Sequence, residues 1–313
     1  MSNRFRLVRR DIRNAAEDAR QSLFERPAAE SLTQHQDAAA YYELDDSLET
    51  AANMALAVGA PLLVTGEPGT GKTQLAFFLG HYFGIQVRSF YVKSTSTARD
   101  LKYEFDAVGY LQSAYMAQQG APPLPRTKFL KEGPLWKAYE DSQPSVLLID
   151  EIDKAPRDFP NDLLHELDQG WFPHPFERDD AGEPIRIPQQ PGQRPILVIT
   201  SNLERRLPDA FLRRCVFHHI VMTEAVVKRA VQARAREFPH LAVEVRNRAF
   251  ERFWELRERG LQKPPSTAEL LVWLAVLDSL EIAPGNLDGP LSELPALGCL
   301  LKDRDDLERL RNP

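Results

Sequence analysis

Residues 66–73 read GEPGTGKT, between the apolar run PLLVT (61–65) and QLAFFLG (74–80). The apolar run suits a buried strand. Gly66, Gly69 and Gly71 permit backbone conformations that a Cβ forbids. Past Thr70, the apolar residues Leu75, Ala76, Phe78 and Leu79 recur at helical spacing, and Gly84 supplies a stop. A strand, a glycine loop and a helix in that order form a phosphate cradle, with backbone N–H groups and the helix N-terminus facing the anion. Gly66, Glu67, Pro68, Gly69, Thr70 and Gly71 would line the cradle. Lys72 would reach the β- and γ-phosphates of ATP, and the Thr73 hydroxyl would ligate Mg2+. The competing reading is a plain glycine turn that ends in Lys-Thr; the flanking strand and helix weigh against it.

The 313 residues suffice for one large domain or two of ordinary size. A hydrophobic content of 43% and a charged content of 27% fit a water-soluble globular chain. A net charge of −6 weighs against a protein that coats nucleic acid, although a basic channel is compatible with an acidic total. The two cysteines, Cys215 and Cys299, make neither a disulfide framework nor a metal site and are expected as buried thiols in a reducing compartment. The opening MSNRFRLVRR is basic but leads into no apolar core, so no signal peptide is expected. No run of apolar residues is long enough to span a membrane, and a cytoplasmic location is the expectation.

Three regions emerge along the chain. In residues 1–40, Ile12, Ala16, Ala19 and Leu23 share one helical face, which fits a surface helix or loose tail better than a partner-binding helix. Residues 41–220 read as α/β. SLETAANMALAVG (47–59) is a helix, and QVRSFYV (86–92), PSVLLID (144–150) and RPILVITSN (194–202) are strands. The near-continuous apolar character of 144–150 places it centrally in a parallel sheet. A helix is predicted over Asp158–Gln169, with Pro160 in its first turn and Gly170 ending it. Residues 171–188 read as an inserted hairpin around DDAGE. The composition of residues 221–313 is helical throughout.

VLLIDEID (146–153) supplies the second half of a nucleotide site. Asp150 ends an apolar strand, where α/β sheets place their ligands, and its carboxylate would bind Mg2+. Glu151 would polarise the attacking water. Asn202, at the end of the next strand, would orient that water or sense the γ-phosphate; alone it would read as a turn residue. LPDAFLRRC (207–215) closes a short helix with Arg213 and Arg214. These either complement the helix dipole or supply a finger to a neighbouring subunit's γ-phosphate.

Taken together, GEPGTGKT, VLLIDEIDKAPRDFPNDLLHELDQG, ILVITSN and LPDAFLRRCVFHHI resemble an AAA+ ATPase, and within that class the MoxR family. The resemblance implies an α/β fold: a doubly wound parallel sheet in the order 5-1-4-3-2, followed by a small all-helical lid. Inserts are expected near 101–117 and 171–188. It implies a homo-oligomeric ring, often hexameric, with ATP bound between subunits. Arg214 best matches the finger, with Arg213 second. It also implies a client protein, often one with a von Willebrand A domain. One departure stands out: Thr267, in PPSTAELL, falls where such lids carry a second-sensor arginine, and Lys263 is the available substitute. Three functions compete: an ATP-driven protein remodeller, a nucleic-acid motor or nuclease-associated ring, and a nucleotide-gated scaffold with little hydrolysis.

Overall fold

The computed structural model describes residues 39, 40, 42, 44–163 and 169–311. The predicted amphipathic face at Ile12–Leu23 lies outside them. The described chain divides into two compact units. Tyr42–Glu67 and Gly71–Met222 form the first; Pro68–Thr70 groups with Thr223 onward in the second.

The first unit carries nine strands among its described residues. They are β1 (Leu62–Gly66), β2 (Val87–Tyr91), β3 (Tyr103–Phe105), β4 (Leu130–Glu132), β5 (Val146–Asp150), β6 (Trp171–Arg178), β7 (Pro184–Pro188), β8 (Ile196–Ser201) and β9 (Val216–Ile220). Five of them form a parallel sheet in the order β2-β5-β8-β1-β9. Counted among themselves these are 2-3-4-1-5, the expected order read from the other edge. Composition explains the placement. Every residue of β1 and β5 is buried, as a strand covered on both faces requires, whereas β2 and β9 are partly exposed edges. The VFHHI of β9 carries too little apolar character to declare itself a strand from sequence. Ile149 and Leu63 both pair with Ile199, so β5, β8 and β1 end level at one edge.

Helices flank this sheet. Asp45 caps α1 (Asp46–Val58) by accepting the Leu48 N–H at 2.9 Å. The loop helix α2 (Lys72–Phe83) ends at Gly84, φ 65°, as its sequence predicts. The segment around the insert expected near 101–117 divides into α3 (Ala98–Lys102), β3 and α4 (Ala107–Gln118), and β3 pairs with β4. No residue of α4 is buried. The helix α5 (Pro134–Glu140) precedes β5. The helix predicted from Asp158 is seen as α6 (Phe159–Asp162), and residues 164–168 lie outside the described set. The expected hairpin is β6–β7, turning through 179–183. After β8 comes α7 (Asp209–Leu212). Leu63, Leu147, Ile149, Ile199, Trp136, Phe159, Phe172 and Phe211 form the core. Each such side chain contributes about 1.5–3 kcal/mol on burial.

In the second unit the described residues from 223 on hold four α-helices and no strand: α8 (Glu224–Ala233), α9 (Val243–Arg257), α10 (Thr267–Ser279) and α11 (Arg304–Arg311). Ser266 and Glu269 form a capping box at the start of α10. Buried Asp306 of α11 accepts the backbone N–H groups of Gln262 and Lys263 at 2.8 and 2.9 Å, fixing the segment that leads into α10. Cys215 and Cys299 are half-buried free thiols rather than fully buried ones; burial pushes the Cys215 thiol up to about 12.

Candidate functional site

The level edge of β1, β5 and β8 gathers the chemistry. Leaving β1, the chain passes through exposed Glu67, Pro68 and Gly69 and buried Thr70 before α2 begins at Lys72. Gly71 needs to be glycine: its φ is 90°, and a Cβ there would lie 2.9 Å from Tyr42 Cε2. Within the second unit, a Cβ on Gly69 would lie 2.7 Å from Ala268 N and 3.1 Å from Thr267 Cβ.

Lys72 is only 6% exposed, and its Nζ donates to the carbonyls of Gly66 and Glu67, both at 2.8 Å. Burial lowers its pKa, while Asp150, Asp153, Glu151 and Glu67 pull the other way. The ammonium thus stands in a concave loop with acidic groups around it, a place where a phosphate chain would complete its hydrogen bonding.

Asp150, at the end of β5, is nearly buried. Its Oδ1 accepts the Thr73 hydroxyl at 2.9 Å and the Thr200 hydroxyl at 2.6 Å. Thr200 Oγ1 in turn accepts the Glu151 N–H at 2.8 Å. Glu151 is in the left-handed region, φ 59°, which ends the strand abruptly and turns the next residues aside. Its Oε1 accepts the Asn202 side-chain amide at 3.2 Å, and its Oε2 is paired with Lys154 Nζ. Asp153, 2% exposed, accepts the backbone N–H groups of Asn202 and Glu204 at 3.3 and 2.9 Å and so fixes the loop that carries Asn202.

The structure therefore brings Lys72, Thr73, Asp150, Glu151 and Asn202 to one edge of one sheet. Arg213 and Arg214 lie exposed at the end of α7, where Arg214 Nη1 donates to Ala210 O at 2.8 Å. Thr267 is buried, and its hydroxyl has no hydrogen-bond partner among the described residues. Lys263 is exposed. Thr200, Asp153 and Lys154 were not anticipated. A hydroxyl inside the apolar ILVIT run and a lysine three residues after Glu151 were the available signals. Thr73 Oγ1 and Asp150 Oδ1 are hard oxygen donors of the kind Mg2+ takes, and the glycine loop with Lys72 suits a triphosphate; the residues fit both.

The sequence model of the AAA domain (dynein-related subfamily) matches residues 61–215, a span that includes the loop, the Asp-Glu pair, Asn202 and both arginines. Residues 61–215 thus form an AAA+ ATPase domain. Among solved structures the chain is similar to a provisionally described ATPase from Cytophaga hutchinsonii, at 13% identity and a TM-score of 0.38, over 90% of this chain and 93% of that one. No curated protein matches the chain. Among the described residues no helix is long and apolar enough to cross a membrane.

Proposed function

We propose that the chain is a MoxR-like ATPase that hydrolyses ATP in a ring assembly to remodel or mature a partner protein. The observation that supports this reading above the others is the Thr73–Asp150–Thr200–Glu151–Asn202 hydrogen-bond chain, which links the phosphate loop to a positioned carboxylate. The cradle from Gly66 to Gly71 and Lys72 bind and orient the phosphates. Thr73 and Asp150 would hold Mg2+, which would supply charge neutralisation at the phosphate oxygens. Glu151 accepts the proton of the attacking water, and Asn202 fixes the orientation of that carboxylate. Arg214, with Arg213 as second choice, reaches the γ-phosphate of a neighbouring subunit from the exposed end of α7. The helical second unit acts as the lid. The client, including one with a von Willebrand A domain, and the cytoplasmic setting follow from the family resemblance.

The test is a trap. Glu151→Gln, expressed in the native host and held in Mg-ATP, should bind nucleotide, stop turning over and retain a stoichiometric protein. Bound nucleic acid that high salt removes would instead support a motor. A second reading, the nucleotide-gated scaffold, draws on Thr267, which brings no charge to the lid position. It requires wild-type turnover no faster than that of Glu151→Gln.

A further inference from the structure

From the contacts around Glu151 we infer that Lys154 is a restraining residue: it holds the Glu151 carboxylate in the resting chain and has to release it before water can be activated. The inference rests on the hydrolysis reading above.

Local backbone sets the contact. Glu151, at φ 59°, starts a single 3-10 turn, Ile152–Lys154, closed by Lys154 N–H donating to Glu151 O at 3.0 Å. That turn folds residue 154 back over residue 151, so the ammonium meets Oε2. Oε1 is already engaged by Asn202. Each carboxylate oxygen therefore has one protein donor, and the two together fix which way the remaining lone pairs point, whereas a group that takes a proton from water must turn an oxygen toward that water. Of the two donors, the amide of Asn202 is neutral and its backbone is fixed by Asp153. Lys154 carries charge on a flexible stem and is the one able to leave. The two side chains are 42% and 37% exposed, and an ion pair so open to solvent is weak. The charge of exposed Glu204 also attracts the same ammonium.

The experiment compares the full chain with Lys154→Met and Lys154→Arg, measuring kcat, KM and the Kd of a fluorescent ATP analogue. Lys154→Met should raise kcat about two- to fivefold, the range set by the worth of an exposed pair. Its nucleotide Kd should be unchanged, and Lys154→Arg should return kcat toward wild type. Turnover in Lys154→Met that falls or stays level overturns the restraint, as does an increase that Lys154→Arg shares. A silent wild type with an active Lys154→Met supports it, provided that adding Glu151→Gln removes the activity. If both are silent while binding nucleotide, as the scaffold reading requires, hydrolysis itself fails and the restraint falls with it. Turnover that persists in Lys72→Ala is a different failure: it sinks the hydrolysis reading, and the restraint with it.

Discussion

Thr200 donates its hydroxyl to Asp150 Oδ1 at 2.6 Å while accepting the Glu151 N–H at 2.8 Å. One side chain of β8 thus fixes a carboxylate on β5 and the backbone of the residue after it. Thr200→Val keeps the shape and deletes both bonds. It should cost about 1–3 kcal/mol, because the Glu151 N–H loses its partner. A lower melting temperature, together with a kcat that falls more than nucleotide affinity, is the expected pair of results. A variant that melts and turns over like wild type would contradict it.

Glu151 pays a backbone penalty for its position, with φ at 59°. For a residue with a Cβ that conformation costs about 1–2 kcal/mol, and glycine escapes it. Glu151→Gly should therefore melt above Glu151→Ala, although neither should hydrolyse ATP. Thermal melts of the two variants decide the matter; equal stability would argue against strain at this residue.

Arg88 of β2 grips Asp141 through Nε, at 2.7 Å, and Nη2. These hydrogen bonds, opposed by partial burial, hold the Asp141 carboxyl below its ordinary value. A lowered folded-state pKa stabilises above the unfolded value and is lost as pH falls through the folded one. Wild type should thus be more stable than Asp141→Asn at neutral pH, and the gap should close below about pH 4. Melting curves across an acid series test this; a constant gap would count against the pairing.

Arg214→Ala should leave nucleotide binding intact and lose hydrolysis. Mixed with Glu151→Gln subunits, it should recover turnover, since each variant supplies what the other lacks at a shared interface. No recovery, in an assembly shown to exchange subunits, would reduce Arg214 to its local contact with Ala210 O.

Much of this was legible in the sequence because it rests on short-range patterns. The loop residues from Gly66 to Thr73, and Asp150 with Glu151, declare themselves by spacing and by the apolar strands before them. Two kinds of feature escaped. The edge strand β9 carries VFHHI, half exposed, so neither an apolar run nor a clean alternation marks it. Thr200 and Lys154 owe their importance to partners brought near by folding. Thr200 meets Asp150 only because β8 lies beside β5, and Lys154 meets Glu151 only because the backbone turns left-handed there. The hydroxyl in the ILVIT run and the lysine three residues after Glu151 mark the positions but do not name their partners.

The separations along the chain have a consequence for how the protein is made. Thr73 lies 77 positions from Asp150, and Thr200 lies 50 from it, yet both hydroxyls converge on one oxygen of the Asp150 carboxylate. No short segment of the first unit contains that arrangement; it exists only when three parallel strands have found their register. Such long-range pairing is slow to form. Nucleotide affinity is then a late arrival in folding, and a ligand that binds only the finished sheet draws the population toward it by mass action.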